Sequence, residues 1–262
     1  MRILIANDDG ITAPGIIALS RALAHEHEVY VLAPDRERSA MGHALTLHRP
    51  LRAEPFDMGD GVRAAWAVSG TPSDCVKLAV GAILPAPPDL VCSGINRGPN
   101  LGVDVLYSGT VSAAVEGAIN GYPAIAFSLA SFADRGYEAA AAFAARLVHQ
   151  IAPRTLPPKF LLNVNLPALE DEPYRGVRVT KLGVRKYRDV FEERVDPRGR
   201  TYYWLAGEAI EEGEDADSDV VAVRSNYVSI TPIQYDLTYY PMLDTIKGWN
   251  LQVDGVLNRT SP

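Results

Sequence analysis

Apolar residues follow two alternating rhythms along the first two thirds of the chain. Short aliphatic and β-branched runs at Arg2–Ala6, Glu28–Ala33, Val62–Val68, Leu90–Ser93 and Ala124–Ser128 read as strands. Between them, apolar positions recur three and four apart. Ile16, Leu19 and Leu23 form one such stripe, Cys75, Leu78, Ala79 and Ala82 a second, and Val111, Val115, Ala118 and Ile119 a third. A fourth helical stretch, Tyr137–Ile151, is closed by Pro153. Thr71-Pro72-Ser73-Asp74 predicts a helix start, with Thr as N-cap, Pro in the first turn and an acid at the third position. Gly121 is a natural stop. Repeated strand–helix–strand order predicts an α/β fold with a mostly parallel sheet and right-handed crossovers.

The rhythm changes further along. Phe160–Asn165 and Val177–Thr180 read as strands, and Arg185–Val195 and Thr201–Ala206 flank Asp196-Pro197-Arg198-Gly199 as the arms of a long β-hairpin. Glu208–Asp219 is acidic and predicts a solvated loop, and Val228–Pro232 is one more strand before an aromatic tail. This divides the chain into a core, 1–180, and a region of hairpin and C-terminal elements, 181–262.

Composition narrows the function classes. A chain of 262 residues with 47% hydrophobic content can bury a full-sized core. A net charge of −7 argues against a surface that coats nucleic acid. It leaves phosphorylated substrates open, provided that a cation or backbone N–H groups supply local positive potential. No apolar run reaches membrane-spanning length, and the first residues lead straight into a strand without a secretory pattern. Cys75 and Cys92 have neither zinc-site nor disulfide-framework spacing, so the cytoplasm is the expected compartment.

In open parallel sheets, ligands bind beyond the carboxyl ends of the strands. Asp8 and Asp9 follow the first strand, Ser39 lies in the loop after the second, Asn96 follows the Leu90–Ser93 strand, and Ser108-Gly109-Thr110 opens the next helix. Adjacent carboxylates repel unless a cation or a proton intervenes. Carboxylate, amide and hydroxyl oxygens are hard donors that suit Mg²⁺, Mn²⁺ or Ca²⁺ better than zinc. Asp8 and Asp9 also fit a plain helix-capping turn into Gly10. Ser108–Thr110 fits either a phosphate cradle or a simple N-cap. His43 is either a proton donor to a leaving group or a structural hydrogen-bonding residue, and Arg97 either a phosphate contact or a solvated loop residue.

These segments together resemble the SurE family of stationary-phase survival nucleotidases. The similarity rests on Asn7-Asp8-Asp9-Gly10, Ala33-Pro34-Asp35 with Ser39 and Gly42-His43, and Ser69–Val76. It continues through Ser93–Gly102, Tyr107–Val111 and Val228–Pro232, in the family's order. The resemblance implies a Rossmann-like core with helices on both faces of the sheet, and a projecting hairpin with exchanged terminal elements that build a homodimer or tetramer. It implies hydrolysis of nucleoside 5′- and 3′-monophosphates, with short polyphosphate as a further substrate, and one divalent cation per subunit, Mg²⁺ or Mn²⁺. The family's metal ligands map onto Asp8, Asp9, Ser39 and Asn96. Asn96 and Ser108–Thr110 then face the phosphate, and Asp8 or Asp9 accepts a proton from the attacking water. Ala40, Met41 and Ala44 depart from residues common in the family, which bears on substrate preference.

Other acidic-pair folds fit less well. An aspartyl-phosphate phosphatase of the haloacid dehalogenase type needs a nucleophilic acid where this chain has Asn7. A response-regulator receiver needs a phosphoacceptor Asp where this chain offers Asn96. A dinucleotide-binding dehydrogenase needs a G-x-G-x-x-G turn after its first strand, and Asn7–Gly10 has none.

Overall fold

The computed structural model describes residues 1–133, 135–157, 159–168, 173–184, 186–210, 215–249 and 251. In chain order the elements are β1 (Arg2–Ala6), α1 (Pro14–Ala24), β2 (Glu28–Pro34), β3 (Ala53–Phe56), β4 (Ala64–Val68), α2 (Pro72–Leu78), β5 (Leu90–Arg97), α3 (Gly109–Ile119) and β6 (Ala124–Ala130). There follow α4 (Tyr137–Ile151), β7 (Leu161–Pro167), β8 (Val177–Val179), β9 (Lys186–Val195), β10 (Thr201–Ile210), α5 (Asp219–Arg224), β11 (Val228–Pro232) and α6 (Tyr240–Gly248).

The main sheet has nine strands in the order β3-β4-β2-β1-β5-β6-β7-β11-β8. From β4 to β7 every neighbouring pair is parallel. β3 and β11 run antiparallel to their neighbours β4 and β7. Period-two alternation sends residues of one strand to opposite faces. Ile3 and Ile5 of β1 pack with Ile16, Leu19 and Leu23 of α1 and with Ala140, Ala144 and Val148 of α4. Leu4 and Ala6 pack instead with Cys75, Val76 and Ala79 around α2 and with Val111, Ala114 and Ala118 of α3. Helices therefore cover both faces, and the strands read as continuous apolar runs because both sides are buried. The chain departs from β1 towards β2 on one side and towards β5 on the other, so the crevice at their carboxyl ends is the topological switch point.

Several elements differ from the sequence expectation. β5 does not stop at Ser93; it continues through a register shift to Arg97, so that Asn96 pairs with Ser128 of β6. The irregularity adds residues without ending the pairing, a pattern that apolar periodicity does not reveal. α2 ends at Leu78 and widens into a π-helical turn, Ala79–Ile83, leaving Ala82 exposed. Ile119, expected on the apolar stripe of α3, is 47% exposed. β3 escapes notice because Pro55 interrupts it, which an edge strand tolerates.

The hairpin forms as expected, with β9 and β10 pairing from Val195↔Thr201 to Lys186↔Ile210. Asp196 closes the turn by accepting from Arg198 and Arg200 N–H at 2.8 and 2.9 Å. Its first arm was expected from Arg185, which lies outside the described residues. The acidic stretch Glu208–Asp219 is not one loop: β10 extends to Ile210, and Ser218 caps α5. Residues 211–214 of it lie outside the described residues, as do 252–262 of the tail, whose earlier part forms α6. β11, from beyond residue 180, joins the main sheet between β7 and β8.

Candidate metal and phosphate site

The carboxyl end of β1 runs into a tight turn that Asn7 clamps with its own side chain. Asn7 Nδ2 donates to Gly10 O at 2.8 Å, and Gly10 N–H donates to Asn7 Oδ1 at 3.2 Å. This Asx-type clamp fixes Asp8 and Asp9 between two locked residues. Two other loops are then tied to the pair. Arg38 N–H, one residue before Ser39, donates to Asp8 O at 2.7 Å. Arg97 N–H, one residue after Asn96, donates to Asp9 Oδ2 at 3.0 Å. The loop after β2 and the end of β5 thus meet the end of β1.

The third contribution is the start of α3. Ser108 is its N-cap, accepting from Val111 N–H at 3.0 Å. The Thr110 hydroxyl donates to Asp8 Oδ1. Gly109 lies so close that a Cβ there would stand 2.7 Å from Asp8 Cβ and 2.9 Å from Asp8 Oδ2. Of the two roles open at Ser108–Thr110, the N-cap is formed by Ser108; the first turn also presses against the Asp8 carboxylate, where the partial positive charge of a helix N-terminus favours an anion.

Burial raises the pKa of both acids. For Asp8 the Thr110 contact partly opposes the effect. Asp9 is pushed up to about 6, first by burial and then by the negative charge of Asp8. Glu37 adds to both shifts. Glu37, Asp9, Thr12, Arg97 and Tyr137 line a cleft of about 260 Å³, and Arg97 faces Asp9 closely enough to oppose its shift. The arrangement is short of positive charge, and a cation would relieve it.

The donors fit a hard cation. Asn96 Nδ2 donates to Gly98 O at 2.8 Å, which fixes the amide and leaves Oδ1 as its accepting end. Ser39 is exposed, and its hydroxyl donates to Glu37 Oε1 at 2.6 Å, so its oxygen lone pairs remain available. Among the described residues no three His, Cys, Asp or Glu side chains gather as a metal-binding group. A cation at Asp8 and Asp9 would therefore draw on the neutral oxygens of Asn96 and Ser39.

His43 is tied to α3 through a buried carboxylate. Its Nε2 lies 2.7 Å from Glu116 Oε2, and Glu116 also accepts from Lys77 Nζ at 3.2 Å and Asn120 Nδ2 at 2.8 Å. Glu116, on α3, is buried yet ionised, its pKa pulled down to about 2 by these donors, His43 foremost. Thr71, the cap of α2, forms a reciprocal capping box with Asp74, and Asp74 also receives Thr46 N–H at 3.0 Å. Thr71 Oγ1 donates to Ala44 O at 2.7 Å. The long loop after β2, which carries Ser39, is thus fastened at His43, Ala44 and Thr46 to the starts or flanks of two helices.

A buried amide network centred on Asn100 braces the loop that follows Asn96. Asn100 N–H donates to Asn165 Oδ1 at 2.8 Å, and Asn100 O accepts from Asn163 and Asn165 at 2.8 and 2.9 Å. Asn100 Nδ2 donates to Ser128 Oγ at 2.8 Å, and Gly102 N–H to Asp219 Oδ2 at 2.9 Å. Glu37, Glu116, Asn163, Asn165, Ser128 and Asp219 are site-supporting residues that sequence reasoning missed. Only the paired amides of Asn163 and Asn165, alternating in an otherwise apolar strand, gave any signal.

A parallel α/β sheet whose strand ends bring an acidic pair, an amide and a helix start together at the switch point defines an enzyme of the doubly wound class. The sequence profile of the family described as "Survival protein SurE" matches residues 3–189. The chain belongs to this family. It is 56% identical to the 5′-nucleotidase SurE of Trichormus variabilis over 261 residues, covering 95% of this chain and 98% of the relative. It is 57% identical to the 5′-nucleotidase SurE of Synechococcus elongatus over 254 residues, covering 94% and 98%. The crystal structure of the SurE protein from Aquifex aeolicus superposes with a TM-score of 0.84 at 41% identity, over 96% of this chain and 100% of that one.

Proposed function

We propose that the protein is a 5′-nucleotidase, a phosphomonoester hydrolase acting on nucleoside monophosphates, with one divalent cation held by Asp8, Asp9, Ser39 and Asn96. One observation carries the reading: two adjacent acids, Asp8 buried and Asp9 half-buried and raised to about 6, share a strand end with an oriented amide and a helix N-terminus. Relatives at 56% and 57% identity that bear the 5′-nucleotidase name support the substrate class. A cation bound there supplies positive charge against the phosphate and lowers the pKa of a bound water.

The chain's own groups do the rest. Asp8 or Asp9, the carboxylates nearest the proposed cation, takes the proton from the attacking water. Asp8 is held in place by Thr110. The N-terminus of α3 favours negative charge developing at the phosphoryl group. His43, bound to Glu116, enters as an anchor of the Ser39 loop rather than as the leaving-group acid.

The family resemblance extends the proposal to 3′-monophosphates and short polyphosphate, and to Mg²⁺ or Mn²⁺ as the cation. Self-association is proposed through the hairpin, where Phe191, Tyr203, Trp204 and Leu205 are each at least 59% exposed. Two buried free cysteines fit a reducing compartment such as the cytoplasm. Among the described residues no helix is long and apolar enough to cross a membrane.

The test is phosphate release from AMP with and without EDTA. Activity lost in chelator and regained with Mn²⁺ or Mg²⁺ is the expected result. Undiminished turnover in EDTA would remove the metal, and absence of phosphate release with every cation tried would remove the nucleotidase.

A further inference from the structure

The nucleotidase reading accounts for the phosphate end of the substrate and leaves the nucleoside end without a partner. An exposed ring, Phe132, lies beside the loop that follows the proposed ligand Asn96. Asn96 pairs with Ser128 and Arg97 with Leu129, so the end of β6 runs alongside the proposed metal ligand. Gly98 N–H donates to Leu129 O at 3.0 Å, which holds the loop after Asn96 against that strand. Three residues beyond Leu129 the chain presents Phe132, and its ring turns back over Gly98. A Cβ at Gly98 would stand 2.6 Å from Phe132 Cε1 and 3.1 Å from its Cζ.

The ring therefore rests on bare backbone two residues from Asn96, and no side chain at 98 would leave it in place. Gly98 also has φ of +104°, so the position suits glycine twice over. Despite this seat, Phe132 is 77% exposed, and it is absent from both apolar clusters of the core. A phenyl group held against backbone with most of its surface in water offers a flat apolar face. At the rim of a phosphate site it has the chemistry that recognises a nucleobase: every base has a π-face, and stacking needs no hydrogen-bond match.

We propose that Phe132 is the nucleobase platform of the active site, a substrate-binding residue that stacks on the base while the phosphate lies at Asp8, Asp9 and Asn96. The proposal rests on the nucleotidase reading. It implies broad acceptance of bases, with purines favoured by their larger face.

Steady-state kinetics with metal-loaded wild type, Phe132→Ala and Phe132→Trp test it, using AMP, CMP and ribose 5-phosphate, which carries no base. Phe132→Ala is expected to raise KM for AMP by about 10-fold or more, the span given by loss of one base–aromatic stack. Its kcat should stay within about two-fold, because binding and not chemistry is lost. KM for ribose 5-phosphate should not change, and Phe132→Trp should restore the AMP value.

An unchanged KM for AMP in Phe132→Ala would overturn the platform, as would an equal rise for ribose 5-phosphate. So would a base-dependent loss in Tyr107→Ala alone; Tyr107, 65% exposed, is the ring beside the start of α3. A change of solution mass in Phe132→Ala would make the ring a contact between copies and overturn it too. Wild type that hydrolyses ribose 5-phosphate but neither nucleotide would instead strike the nucleotidase reading, and the platform with it.

Discussion

Replacing Glu116 with Gln removes one negative charge from the fastening of the Ser39 loop while keeping the side chain's shape. Glu116 is 2% exposed and is met by His43, Lys77 and Asn120. Its folded pKa of about 2 lies below the ordinary value of 4.5. A depressed carboxylate pKa contributes stability that is present above the unfolded value and is lost as pH falls through the folded one. The window is therefore from about pH 4.5 down to about pH 2.

A shift of this size corresponds to about 3 kcal/mol at neutral pH. Lys77, one of the donors, has a side chain 56% exposed, so solvent screens its share and about 2 kcal/mol is the expected cost of Glu116→Gln. In a chain of this length that lowers Tm by about 4–8 °C. Thermal or urea unfolding of both proteins at pH 7 and at steps down to pH 3 is the assay. The stability gap should be widest at pH 7 and narrow as the acid window is entered. Equal stability at pH 7, or a gap of constant size down to pH 3, would refute the account of Glu116 as a buried, ionised anchor.

Two further outcomes follow from the same geometry. Gly109→Ala should cost most of the activity. Alanine in a helix is ordinarily worth about 1 kcal/mol over glycine, but here its Cβ would meet Asp8 Cβ at 2.7 Å; wild-type phosphate release from the variant would contradict that packing. In the metal-free protein the acid pair should withdraw stability as pH rises through the interval from 3.8 to about 6, because the native state there holds protons on Asp9, and also on Asp8, that the unfolded chain releases. Thermal melts of metal-free wild type and Asp9→Asn read this as a difference that changes across the interval and that Mn²⁺ removes; identical pH profiles for the two proteins would show that Asp9 is not shifted upward.

The sequence by itself determined the layered architecture. Amphipathic helices must repeat every three or four residues and buried strands must be short apolar runs, so alternation of the two forced a mostly parallel sheet with helical crossovers, and the family resemblance added helices on both faces. It also placed Asp8, Asp9 and Asn96 at strand ends, since Gly, Asn and Pro punctuate those positions. The hairpin was legible from Asp196–Gly199 because a turn closes locally.

Only the tertiary structure decided the supports. Glu116 is the one charged residue among the small and apolar residues of α3, and nothing local says that a loop more than seventy positions earlier will meet it with His43. Glu37 becomes a neighbour of Asp8 and Asp9 only when the loop after β2 folds back onto the end of β1. Asn100 and Asn165 meet across sixty-five positions. The register shift that keeps Asn96 within β5 is likewise set by its pairing with β6. Periodicity reports which face of an element is buried. Which charged and amide groups meet beyond that face depends on long-range pairing, and local pattern carries no record of it.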